Sequence, residues 1–263
     1  MNPLYSGQSV FDAINGIRYP FVYYPLHEDL SPSKTNKTLP SLTESGSIDF
    51  ATDPSWLTLD GSTSCATFSA YGGTGLQEVC ELGDGCLMVW GQIKVPAGPD
   101  TQADRLIDIG AGGKGVWGVY FQRSSTALSG TICTIYPSIG FDEDAAIVAY
   151  SPGGNKFAID APTVFTILID NRPNIKMAWT YIDGAQVGIK TLAGKGSCTF
   201  GATLTKTARL FASSLGTPSN YSLCSVRRLG IMNFGQDVPR NINAIVQGLA
   251  RTKGVPCYEM LEA

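Results

Sequence analysis

Apolar and polar residues alternate along much of this chain, and residues 175–190 show the pattern most fully. Ile175, Met177, Trp179 and Tyr181 occupy every second position, with Lys176 and Thr180 between them. That is the period of a strand with one buried face. Asp183-Gly184 follows, a dipeptide that favours the tight turn of a two-stranded hairpin. Val187 and Ile189 then restart the alternation. The pattern predicts a long antiparallel hairpin with Trp179 and its in-phase neighbours in the core.

Further strands are predicted at 21–26, 56–61, 65–68, 86–95, 105–109, 116–122, 130–136, 145–150, 164–170, 209–212 and 221–233, with a weaker signal at 42–50. Within 86–95, Leu87, Val89, Ile93 and Val95 share one face, while Gln92 and Lys94 point the other way. Trp90 falls on the face of Met88 and Gln92, at a sheet surface or an interface. Helical spacing is clearest near the end of the chain. Val238, Ile242, Ile245, Val246 and Leu249 form an amphipathic stripe, with Asp237 as cap, Pro239 in the first turn, and Gly254 and Pro256 as the stop. Strands at this spacing, separated by turn signals, predict an all-β fold: a sandwich of two antiparallel sheets with a short C-terminal helix. Residues 1–20 read as an N-terminal arm or short helix, and residues 21–263 as one domain.

Composition agrees with many strands and turns. Only 16% of residues are charged, while 30 glycines and 15 prolines supply turn geometry. The net charge of -3 and the lack of a basic run beyond Arg227-Arg228 argue against a nucleic-acid surface. The N-terminal residues lack the charged-then-apolar order of a secretory signal. No apolar run is long enough to span a membrane. The seven cysteines are scattered, without a Cys-x-x-Cys pair, and read as buried free thiols made in a reducing compartment. With one histidine in the chain, a structural zinc site is not expected.

The order of the pieces then becomes informative. Val22-Tyr-Tyr-Pro-Leu26 precedes Trp56-Leu-Thr-Leu-Asp-Gly61, and Leu87-Met-Val-Trp-Gly-Gln92 follows. Phe165-Thr-Ile-Leu-Ile-Asp170 leads into Tyr181-Ile-Asp-Gly184, and residues 223–233 close the series before the helix. This arrangement resembles the concanavalin A-like, laminin-G-like jelly-roll superfamily over about residues 20–250. Without a signal peptide, it is similar to the versions carried by tailed-phage virion proteins. The resemblance implies a lectin-like jelly roll and a non-enzymatic virion structural protein, as capsid decoration, head fibre or tail component. Its partners would be other capsid or tail proteins, a second copy of the chain in a homo-oligomer, and a host-surface glycan. It implies no nucleic acid, no membrane span and no cofactor, and a virion location after synthesis in the host cytoplasm.

Polysaccharide-cutting members of this superfamily resemble one another in a Glu-x-Asp-x-Glu strand, where period two sets the carboxylates on one face around one bond. No glutamate here lies two residues before an aspartate. The chain is therefore expected not to be an enzyme, and a glycoside hydrolase ranks below a glycan-binding adhesin. Asp142-Glu143-Asp144 is the densest acidic cluster and the candidate cation site, although such runs more often form solvated turns. His27 lacks a triad partner motif. Gly110-Ala-Gly-Gly-Lys-Gly115 matches a dinucleotide fingerprint, but strand text follows it where a helix is required, so it reads as a hairpin tip. Trp117 and Tyr120, beside that tip, are the candidate glycan contacts.

Overall fold

The structure, a computed structural model, describes residues 19–26, 29–32, 34–50, 56–97, 104–111, 114–124, 132–140, 148–149, 156–192, 205–214 and 217–254. The strands form two antiparallel sheets. Sheet I runs in the order β14 (Ala185–Thr191), β13 (Met177–Ile182), β12 (Thr163–Asp170), β6 (Cys86–Lys94), β16 (Ser225–Gly235), β1 (Phe21–Tyr24) and β2 (Lys34–Thr35), with β4 (Leu57–Thr58) also paired to β16. Sheet II runs β10 (Val148–Ala149), β9 (Ile132–Ile139), β8 (Lys114–Ser124), β7 (Asp104–Ala111), β15 (Lys206–Leu210), β5 (Cys65–Phe68) and β3 (Leu42–Ser45), with β11 (Lys156–Ala158) paired to β9. The chain repeatedly crosses between the sheets, as in a jelly roll. The expected fold class is the one observed.

Between the sheets lies a continuous apolar core. Val22, Leu87, Val89, Ile167, Leu229 and Ile231 from sheet I meet Ile107, Ile109, Val119, Phe121, Ile135 and Leu210 from sheet II. Burial of this kind supplies the main drive for folding. Cys65, Cys80 and Cys86 are free, buried thiols, and Cys224 is a buried cysteine.

Sheet I is also buried on its outer face. There α2 (Ile242–Arg251) lays Ile245, Val246 and Leu249 over Met88, Trp90, Leu168 and Met232. Trp90 is 1% exposed, so the surface-or-interface reading resolves to an interface with the helix. Its indole lies on the backbone of Gly230, where a Cβ would run into the ring. The C-terminal end of the helix is fixed from below. Buried Arg228 donates through Nη2 to Gln92 Oε1 and to the Thr252 carbonyl, both at 2.5 Å, and Gln92 Nε2 donates to the Lys253 carbonyl at 2.8 Å. A guanidinium placed there meets the carbonyls and the negative end of the helix dipole.

The helix begins later than the stripe predicts. The Asp237 N–H bonds to the Phe234 carbonyl, and Ile242 N–H to Pro239, so Val238 and Pro239 lie in the turns before the first helical residue. A second helix, α1 (Gly75–Cys80), was not expected. With six residues it is too short for a periodic signal, although Leu76, Val79 and Cys80 are all buried. Among the described residues, no helix is long and apolar enough to cross a membrane.

The β13–β14 hairpin forms where predicted, but its faces are exchanged. Ala178 and Ile182 join the core between the sheets, and Thr180 is 2% exposed. Met177, Trp179 and Tyr181 therefore stand on the outer face, where Trp179 is only half-buried. Alternation separates two faces without saying which is inner when both carry apolar groups. Lys176, at φ 52, turns the chain before the strand, which leaves Ile175 42% exposed. Asp183 (φ 49) and Gly184 (φ 83) make the expected hairpin turn with both φ positive. That turn is tied to α2 by Gln247 Nε2 donating to the Gly184 carbonyl at 2.7 Å.

The arm predicted for residues 1–20 lies mostly outside the described residues. Its last two residues pack on sheet I: the Pro20 carbonyl accepts the Asn233 N–H, and the Tyr19 ring meets Phe234 edge-on.

Replacing Gly230 by Ala should lower unfolding free energy by about 1–3 kcal/mol, because the new methyl overpacks the Trp90 contact. Urea denaturation measures it, and Trp90→Leu in the same chain should recover part of the loss. A second expectation concerns acid. Burial works against ionisation of Asp60, but the Thr63 hydroxyl and the backbone N–H groups of Thr63, Ser62 and Ser64 outweigh it and hold the carboxyl well below its usual range. A depressed folded pKa gives stability that is present above the unfolded value, near 3.9, and lost as pH falls below it. Asp60→Asn should flatten that part of the acid limb in a pH series of melting temperatures.

Candidate functional site

The aromatic pair expected to meet a glycan is inside the protein. Trp117 is 0% exposed, and its Nε1 donates to the Cys80 carbonyl at 2.7 Å, tying β8 to α1. Tyr120 is 4% exposed, with its hydroxyl donating to Asp108 Oδ1 at 2.7 Å. A sugar ring stacks on an exposed aromatic face, and neither ring offers one, so the Trp117–Tyr120 expectation is corrected to a structural role. Asp108 is itself fully buried. It accepts from Arg105 Nη1 at 2.9 Å, and from the Ser214 N–H at 2.7 Å and hydroxyl at 2.8 Å. Gly118 makes room for this cluster, since a Cβ there would lie 2.5 Å from the Tyr120 ring.

The Gly-rich match joins β7, ending at Ala111, to β8, starting at Lys114. Strands on both sides make it a hairpin connection, as expected. Asp142, Glu143, Asp144 and His27 lie outside the described residues. Among the described residues, no cluster of three or more His, Cys, Asp or Glu could hold a metal ion.

The exchanged faces of the hairpin create a different site. A groove of about 330 Å³ runs between the outer face of β12, β13 and β14 and the start of α2. That volume lies at the small end of ordinary ligand clefts. One wall is aromatic and aliphatic: Trp179, Tyr181 and Ile175, with Val238 and Ile242 opposite. Ile189, the cross-strand partner of Trp179, is 48% exposed and extends the apolar surface past the edge of the groove.

The polar groups of the groove are planar and fixed. Arg172 Nε donates to Asp170 Oδ1 at 2.9 Å and Nη2 to Asp170 Oδ2 at 2.7 Å, a bidentate pair. Nη1 reaches the Gln236 carbonyl at 3.1 Å. The hydrogen bond to Asp170 raises the already high pKa of Arg172, so its charge is permanent. Burial pushes the Tyr181 phenol up, which keeps it protonated near neutral pH. Gln186 and Asn243 add amides at the rim. An exposed aromatic face next to fixed forks of donors and acceptors can hold a polar ring that has one apolar side. The carboxylate is already engaged by a guanidinium, an arrangement suited to binding more than to proton transfer.

Sequence reasoning missed this groove. The available signal was that Ala178 and Thr180, small and tightly packable, alternate with the bulky Met177, Trp179 and Tyr181. Asp170 and Arg172, two apart at the end of a buried strand, were a second one.

No protein-family model matches the chain, and no curated protein matches it in sequence. Solved structures do resemble it. Domain 4 of AbnA, an extracellular GH43 arabinanase from Geobacillus stearothermophilus solved with arabinotriose, has 14% identity and a TM-score of 0.51, covering 88% of this chain and 98% of that one. The binding domain of botulinum neurotoxin DC, solved with SialylT, has 8% identity and a TM-score of 0.55, over 89% of this chain and 51% of that one. The same toxin domain with rat synaptotagmin II has 7% identity and a TM-score of 0.53 over the same shares. At such identities the likeness establishes the fold. The chain is a β-sandwich of two antiparallel sheets.

Tyr120→Phe should cost about 1–2 kcal/mol in urea denaturation, because Asp108 loses one of its donors while buried.

Proposed function

We propose that this protein is a non-enzymatic glycan-binding module whose saccharide site is the Trp179 groove. The observation that carries the reading is a half-buried tryptophan set beside the Asp170–Arg172 pair, with the most exposed aliphatic side chains on either flank. Trp179 would stack on the apolar face of a sugar ring, and Arg172, Gln186 and Asn243 would meet its hydroxyls. The fold likeness adds support, since a sandwich of this shape was solved with arabinotriose in AbnA and with SialylT in the toxin domain. The non-enzymatic part rests on the missing carboxylate strand and on the engagement of Asp170 by Arg172.

The setting we propose is a phage particle, with the sandwich as capsid decoration, head fibre or tail component and the groove turned to the host surface. This part rests on the sequence resemblance to jelly rolls of virion proteins. The adhesive role ranks above the purely structural one, because the groove supports it.

A glycan array, followed by calorimetry on its best ligand, tests the site. Trp179→Ala should weaken binding at least tenfold, equivalent to about 1.4 kcal/mol, with the melting transition still cooperative. Silence across the array, or equal affinity in the folded variant, overturns the assignment.

A further inference from the structure

At the other end of β6 a second cluster of side chains has a different chemistry. Lys94 lies eight residues beyond Cys86 of the groove, roughly 26 Å along the strand. Its ammonium sits 5.4 Å from the centre of the Trp56 ring. The Arg227 guanidinium sits 5.8 Å from the same ring centre. Trp56 is 7% exposed, so the indole works as a rigid platform that holds both cations by its π face or edge contacts. Both charges belong to one small area: they lie within about 11 Å of each other, close to one Debye length at 0.1 M salt.

Among the described residues these cations have no counter-charge in contact. Among the described residues, neither Lys94 nor Arg227 makes an ion pair or a side-chain hydrogen bond, whereas Arg105, Arg172, Lys37, Lys206 and Lys253 all pair with a carboxylate. Arg227 Nε is buried and without a hydrogen-bond partner. A buried donor left unmatched is costly, and a charged one more so. Two like charges drawn to one ring add mutual repulsion, which a bound anion would relieve.

The backbone is arranged to aim Arg227. The register of β16 against β6 shifts between Val226 and Arg228, so Arg227 is the extra residue of a bulge. Bulges redirect a side chain out of the ladder and recur beside binding sites. Ser225 pairs with Lys94 on one side and with Thr58 on the other, and the Thr58 and Ser225 hydroxyls lie 3.5 Å apart. One neighbourhood therefore offers an ammonium, a guanidinium and two hydroxyls, with Asp49 bridged to Thr58 at the far end of the row from Lys94.

We propose that Lys94, Arg227, Ser225 and Thr58 form an oxyanion site on the Trp56 platform. Its ligand is a single tetrahedral or planar oxyanion, either free in solution or carried as the carboxylate or sulfate ester of an acidic saccharide. The guanidinium fork matches two oxygens of such a group, the ammonium acts as a point charge, and the hydroxyls complete the shell. The site does not depend on the Trp179 groove, because the two share no residue.

Calorimetry and thermal melting of the full chain test it, with sodium sulfate, glucuronic acid and a sulfated monosaccharide as probes and sodium chloride holding ionic strength constant. Sulfate raises the melting point of any protein through exclusion from its surface. The informative quantity is thus the difference between wild type and the Lys94→Gln/Arg227→Gln variant. Saturable sulfate binding that weakens at least tenfold in the double variant supports the site. Tighter binding of the acidic sugars than of sulfate assigns the oxyanion to a saccharide, and the reverse assigns it to a free anion. Lys94→Gln alone, at a partly exposed position, gives a folded comparison should the double variant unfold, and it should weaken sulfate severalfold. No saturable heat with any probe, or equal heats in wild type and the folded variants, overturns the proposal. Trp179→Ala should leave sulfate binding unchanged, so loss of one site is distinguishable from loss of the other.

Discussion

The packing of α2 on the outer face of sheet I depends on the close contact between Trp90 and Gly230. A central strand that is buried on one face only could leave the other to water, but β6 carries Met88 and Trp90 on its outer side. The large ring needs a neighbouring strand with no side chain at that register, and Gly230 supplies it. Once the indole lies flat on β16, the outer face is smooth enough for α2 to pack over it. The helix then completes burial of a sheet that alone would expose a tryptophan, two methionines and two phenylalanines.

The same device recurs elsewhere. Gly91 lets the Phe165 ring approach β6 from the core side, and Gly118 lets Tyr120 fold over β8. In each case a glycine in a strand interior gives up its own packing so that an aromatic ring from an adjacent position can lie against the backbone. The sheets are thereby thickened by rings without being pushed apart.

Most of the fold was readable from alternation and turn residues. The strand positions, the Asp183-Gly184 turn and the terminal helix all came from local periodicity and backbone preference, which act over a few residues. The site was not readable, because it depends on which face of a strand meets which layer. Trp90, Trp117 and Trp179 show the difficulty together. Trp90 could be a surface residue until α2 is placed over it. Trp117 beside a glycine-rich tip looked accessible, yet its indole N–H is used by α1, a helix too short to announce itself. Trp179 looked internal by phase, yet the phase was set by Ala178 and Ile182, and the tryptophan went outward. A hairpin bounded by apolar residues on both faces has two self-consistent placements, and only the neighbouring layers choose between them.

The clamp at the end of α2 has a consequence for the groove. Arg228 and Gln92 hold the last carbonyls of the helix, while Val238, Ile242 and Asn243 at its start form one wall of the cleft. One rigid rod thus connects a buried guanidinium to one wall of the cleft at its opposite end. Docking of the rod and occupancy of the cleft are then thermodynamically linked: whatever fills the groove must also hold the helix down. Hydrogen exchange of the amides of α2 would slow on occupancy of the proposed site, a readout that requires no label at the cleft itself.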